Sequence, residues 1–110
     1  MSRFALLPEP PYYAVIFANQ AAQDDTADYP VTAARMVELA EQQPGFLGIE
    51  STRDAAGFGI TVSYWRDEAS IASWKAQVEH AAAREQGRAR WYDRYTLRVA
   101  KIERAYGWSR

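Results

Sequence analysis

Two β-rich runs, Pro44-Gly45-Phe46-Leu47-Gly48-Ile49-Glu50-Ser51-Thr52-Arg53 and Gly59-Ile60-Thr61-Val62-Ser63-Tyr64-Trp65, stand on either side of a short polar connection, Asp54-Ala55-Ala56-Gly57. Runs of this length and residue type, joined by a tight glycine-containing turn, predict a β-hairpin. A segment of helical period flanks it on each side. Before it, Tyr29-Pro30 opens a helix with a stripe of Ala33, Met36, Val37 and Ala40, which Pro44-Gly45 stops. After it, Asp67 is placed as an N-cap for a helix with a stripe of Ile71, Trp74, Val78, Ala81 and Ala82, closed by Gly87. Outer strands complete the pattern. Tyr12-Tyr13-Ala14-Val15-Ile16-Phe17-Ala18 follows the breaker Pro8-Glu9-Pro10-Pro11, and a last strand runs from about Tyr95 to Tyr106.

The order β-α-β-β-α-β predicts an α+β, ferredoxin-like fold: a four-stranded antiparallel sheet with two helices on one face. Residues 1–110 read as a single domain in which 1–11 form an N-terminal extension. The first strand is apolar on both of its alternating faces, so both must be covered, and two helices cover only one. The simplest cover for the other is a second copy, which predicts a homodimer with the two sheets face to face about a two-fold axis.

Composition narrows the chemistry. Apolar residues make up 48% and charged residues 25%, the balance of a globular chain rather than a disordered one. No apolar run approaches the roughly 20 residues of a membrane helix, and the N-terminus has too short an apolar stretch for a secretory signal, so the expected location is cytoplasmic. With no cysteine there is no disulfide, thiolate metal site or cysteine nucleophile. One histidine without clustered carboxylates does not make a metal cage, and neither a phosphate-binding GxxxxGK nor a hydrolase GxSxG pattern occurs.

The net charge of −1 hides an asymmetry: residues 1–55 carry three Arg against eight acids, residues 56–110 ten Lys or Arg against six. Arg84, Arg88, Arg90, Arg94, Arg98, Lys101 and Arg104 interleave with Trp91, Tyr92, Tyr95 and Tyr106, as a single-strand nucleic-acid surface would. Glu85, Asp93 and Glu103 break up the field, however, and a helix exit followed by a strand produces the same alternation. No nucleic-acid partner is expected.

Pro44-Gly45-Phe46-Leu47-Gly48-Ile49-Glu50-Ser51, Ile60-Thr61-Val62-Ser63-Tyr64-Trp65, Trp74 followed by His80, and Gly87 followed by Trp91-Tyr92 and Tyr95 resemble the antibiotic biosynthesis monooxygenase family from about Tyr12 to Tyr106. Nearly all these positions are structural. The resemblance implies a dimeric α/β barrel that oxidises a small aromatic or quinol-like compound with dioxygen, without metal or flavin. It also brings in haem-degrading relatives, but their iron ligand falls about one turn beyond His80, near Arg84, so haem is not expected. The alternative is a binding or protective module of the same fold that holds a small apolar ligand without turning it over.

An oxygenase of this kind needs an apolar pocket, a proton acceptor, and donors for the developing anion. His80 is the natural base near neutral pH. A regular helix turns it roughly 150° from the Ile71, Trp74, Val78 stripe; the resemblance implies a bend after Trp74 that would swing it inward. Glu50 shares a strand face with Phe46, Gly48 and Thr52. It is a base if buried and a partner of an arginine such as Arg98 or Arg104 otherwise. Asn19 ends the first strand, where it is either a turn residue or, as the haem-degrading relatives suggest, a hydrogen-bond partner for a substrate carbonyl or dioxygen. Tyr64, Trp65 and Trp74 are the aromatic substrate-binding candidates. Tyr64 aligns with Phe58, Ile60 and Val62, and Trp65 with the small Gly59, Thr61 and Ser63, which leave room beside them. Each aromatic residue is equally a core or interface residue.

Overall fold

The computed structural model describes residues 3–21, 37–84 and 92–110, with the side chains of 79–84 outside the description. Its elements are strands β1 (Tyr12–Ala21), β2 (Phe46–Arg53), β3 (Phe58–Trp65) and β4 (Tyr92–Ile102), with helical residues 37–41 (α1) before β2 and helix α2 (Glu68–Arg84) before β4. The strands form one antiparallel sheet of order β2-β3-β1-β4, the ferredoxin-like topology expected. The opening of the first helix at Tyr29-Pro30 and the stop at Gly87 lie outside the described residues.

The hairpin forms as its sequence dictates. Asp54 Oδ1 accepts from the backbone N–H of Ala56 at 3.0 Å and of Phe58 at 2.9 Å, and Gly57 adopts φ 92°, a left-handed conformation that costs glycine little. Asp67 caps α2: its Oδ1 accepts from the backbone N–H of Ser70 at 2.8 Å and from the Ser70 hydroxyl at 2.7 Å. These bonds to Ser70 hold the Asp67 carboxyl below its usual range.

Alternation along the strands sorts the side chains into two faces. The helix-facing side carries Val15, Trp65, Ala40 and Ile71 as its buried core, with Tyr13, Phe46, Trp74 and Leu97 packed against it. Trp65 is fully buried, its ring centroid 5.4 Å from those of Phe46 and Trp74. Phe46 reaches this side because the β2–β3 register shifts between Phe46 and Gly48, bulging β2 at Leu47. Strict alternation would have left Phe46 on the face of Glu50.

The outer face is not bare. The segment before β1 crosses it. The Ala5 backbone N–H donates to Glu50 Oε2 at 3.1 Å, and Ala5 and Leu7 pack so closely on Gly48 that an added Cβ there would lie 2.9 Å from Ala5 Cβ. Phe58 and Ile60, further along the same face, stay 47% and 40% exposed. The N-terminal extension therefore covers one end of the outer face with this chain's own residues and leaves the other open.

β1 is also longer than its apolar run. Asn19 is not a turn residue: it lies within β1, opposite Gly59 on β3 and Tyr95 on β4. Strand pairing on both sides carries the polar Asn19 and Gln20 into the sheet, overriding their local preference for turns.

Candidate functional site

The helix-facing side of the sheet is a floor with an aromatic end, a polar middle and a charged end. At the first, Trp65 stands opposite Phe46 and Tyr13, with Trp74 of α2 above it. The Trp65 indole N–H donates to Ser63 Oγ at 2.9 Å, which fixes the ring plane. The Trp74 indole N–H is buried and has no hydrogen-bond partner among the described residues. A buried donor left in this condition costs about 1–3 kcal/mol, and an oxygen-bearing ligand or a water between sheet and helix would recover it.

The middle carries the small Ser63, Thr61 and Ser51, with Ser51 Oγ and Thr61 Oγ1 2.7 Å apart. On the β4 side, Phe17, Tyr92 and Tyr95 form an aromatic cluster with centroid separations of 5.1, 5.5 and 6.1 Å.

The charged end is one cross-strand row, Arg53, Gly59 and Asn19, in register on β2, β3 and β1. Arg53 lays its guanidinium across Gly59, donating to the carbonyl oxygen of Gly57 and to Oδ1 of Asn19. Asn19, 2% exposed, donates from Nδ2 to the Phe17 carbonyl oxygen at 3.2 Å. From Tyr13 to Asn19 is six residues of strand, so the aromatic and charged ends are about 20 Å apart along the backbone.

The structure thus divides the sequence-predicted residues. Trp65 and Trp74 come together, and Asn19 shares their face at the far end. Glu50 and Tyr64 lie on the outer face, where the Tyr64 hydroxyl donates to Glu50 Oε1 at 2.7 Å and the Tyr12 and Tyr64 rings meet edge-on with centroids 5.8 Å apart. Glu50 takes neither of its expected partners, Arg98 and Arg104; it is held by Tyr64 and the N-terminal segment. Burial, reinforced by the Glu50 carboxylate, raises the Tyr64 hydroxyl well above its ordinary value.

His80 sits on α2, which is helical from Glu68 to Arg84; its side chain lies outside the described residues. Arg53 was missed by the sequence reading. The signal was available, since counting outward from the turn sets Arg53 opposite Gly59. Among the described residues no three His, Cys, Asp or Glu side chains cluster to hold a metal. No helix among them is long and apolar enough to cross a membrane.

Comparison with known proteins places this architecture. The chain is 57% identical over 97 residues to the uncharacterized protein YqjZ of Bacillus subtilis, covering 88% of this chain and 84% of that protein. It is 30% identical over 94 residues to the jasmonate monooxygenase ABM of Pyricularia oryzae, covering 82% of this chain but 43% of that longer protein. Among solved structures, SnoaB, a cofactor-independent oxygenase from Streptomyces nogalater, superposes with a TM-score of 0.66 at 15% identity, over 86% of this chain and 95% of that one. MhuD, with two manganese protoporphyrin IX bound per active site, gives 0.62 at 19% identity, over 86% and 98%. At such identities these two likenesses are of fold. The sequence pattern of antibiotic biosynthesis monooxygenases matches residues 12–86, and the chain belongs to that family.

Proposed function

We propose that the protein is a cofactor-independent monooxygenase that oxidises a small aromatic or quinol-like compound with dioxygen on the helix-facing floor of the sheet. The observation that carries this reading is the buried Trp74 N–H, without a hydrogen-bond partner among the described residues, on a ring packed against Trp65. Such a wall accepts a planar ring system, and a buried donor stabilises negative charge developing on its oxygen.

In the proposed reaction a ring methylene loses a proton and the resulting carbanion passes an electron to dioxygen. One oxygen atom becomes the product carbonyl, and the other leaves as water with the two hydrogens. Trp65, Phe46, Tyr13 and Trp74 wall the ring on one side, Asn19 donates to an oxygen toward the charged end, and His80 accepts the proton. Glu50 and Tyr64 have no part in this step, because they stand on the outer face. A homodimer formed through that face, around the exposed Phe58 and Ile60, and a cytoplasmic location belong to the same proposal.

Haem does not fit the donor set. The chain has one histidine, His80, and the position a turn beyond it is Arg84, which cannot ligate iron.

A non-catalytic ligand carrier is the second reading. It draws on one observation: among the described residues, the two groups whose protonation the fold clearly shifts, Tyr64 and Asp67, lie on the outer face and at the α2 cap, not on the floor. Oxygen uptake by metal-stripped protein with a panel of anthrones and hydroquinones separates the two. Uptake supports the oxygenase, whereas saturable quenching of tryptophan fluorescence without uptake supports the carrier.

A further inference from the structure

We propose that Arg53 is a positioning residue: by crossing Gly59 to hold the Asn19 amide oxygen, it turns one Asn19 N–H into a fixed, polarised donor for a substrate oxygen. The inference deepens the oxygenase reading and rests on it.

An asparagine amide has two nearly isosteric orientations, and its partners decide between them. Here both partners choose the same one. Arg53 has only donors to offer, so Oδ1 must face it; the Phe17 carbonyl has only an acceptor, so Nδ2 must face that. Nδ2 carries two hydrogens. One is used by Phe17, and the other has no acceptor among the described residues, although Asn19 is 2% exposed. A strand position inside a sheet, rather than a loop, supplies this donor, so its direction is set by the backbone register.

Charge adds to orientation. A guanidinium bonded to the amide oxygen draws electron density through the amide and makes its N–H groups stronger donors. The chemistry this suits is an oxygen that gains negative charge, a phenolate or enolate, rather than a neutral ether.

Gly59 is the condition for the arrangement. A Cβ at that position would lie 2.7 Å from Arg53 Cζ and 2.8 and 3.0 Å from its terminal nitrogens. Any other residue would push the guanidinium off the row. Because the obstruction meets the far end of a flexible side chain, Gly59→Ala displaces the group while Arg53 itself remains.

The test uses the full chain as wild type, Arg53→Ala, Arg53→Lys, Gly59→Ala, Asn19→Ala and the Arg53→Ala/Asn19→Ala pair. Two readouts are followed: the side-chain amide resonances of Asn19 without ligand, and the apparent pKa of bound 1,8-dihydroxyanthrone, read by absorbance. Arg53→Ala and Gly59→Ala are expected to move the Asn19 amide resonances, with Arg53→Lys in between. Arg53→Ala is expected to raise the pKa of the bound anthrone by about one unit, a tenfold loss of preference for its anion. Asn19→Ala should do at least as much, and the double variant no more than Asn19→Ala alone. Unmoved Asn19 resonances in Arg53→Ala and Gly59→Ala would overturn the positioning role, as would an Arg53→Ala effect that adds fully to that of Asn19→Ala. Failure of the wild type to bind the anthrone would overturn the oxygenase reading and the substrate half of this proposal; the resonances would still decide whether Arg53 sets the amide.

Discussion

Tyr64 and Glu50 are joined by a hydrogen bond of 2.7 Å on the face of the sheet turned away from α2. Burial first, and the Glu50 carboxylate second, raise the Tyr64 pKa. The folded state therefore binds this proton more tightly than the unfolded chain, in which tyrosine titrates near its ordinary value of about 10. The resulting stability is present below that pH and is lost as pH rises from there toward the folded pKa. Thermal unfolding of wild type is expected to fall more steeply above pH 10 than that of Tyr64→Phe; equal slopes would count against the coupling.

The same pair ties down the N-terminal segment through the Ala5 N–H. Glu50→Ala is expected to expose residues 3–8 to limited proteolysis while oxygen uptake with an anthrone stays at the wild-type level. Loss of uptake with the assembly intact would return Glu50 to the list of bases.

Trp74 and Trp65 part company on substitution. Trp74→Phe keeps an aromatic ring against Trp65 and removes the orphaned N–H, so chemical denaturation should show a stability change within about 1 kcal/mol, while ligand affinity falls. Trp65→Ala empties a fully buried site and is expected to cost about 3–5 kcal/mol. Equal ligand affinity in Trp74→Phe and wild type would remove the N–H from the site.

His80→Ala is expected to lower the turnover rate by about 10²–10⁴ without changing the far-ultraviolet circular dichroism. The wild-type rate should rise with pH as the imidazole becomes neutral, and the variant should lack that limb. A variant with the wild-type pH profile would show that another group takes the proton.

Ile60→Asp places a charge in the open part of the outer face, where Ile60 is 40% exposed. Sedimentation at micromolar concentration is expected to give a dimer for wild type and a monomer for the variant. A wild-type monomer would contradict the proposed assembly.

Local signals made the fold legible. Asp54 and Gly57 specify the hairpin and Asp67 the start of α2, and each acts within a few residues of itself. The site was legible only in part, because its geometry depends on register and on distant chain. The bulge that turns Phe46 onto the Trp65 side is invisible to simple alternation. Asn19 looked like a strand end because its side chain favours turns, whereas pairing with Gly59 and Tyr95 keeps it in β1. Glu50 was open between a base and a partner of an arginine because nothing local announces that residues 5–7 fold back onto its face. Arg53 gains meaning only when Gly59 is set beside it.

Oxygen consumption by the metal-stripped protein with anthrones and hydroquinones, beside Trp74→Phe, His80→Ala and buffer, tests the central claim most directly. The account predicts protein-dependent uptake that needs no added flavin or metal, is reduced in both variants, and yields the anthraquinone and water from an anthrone. Anthrone binding that quenches tryptophan fluorescence, with uptake no faster than in buffer, would contradict it.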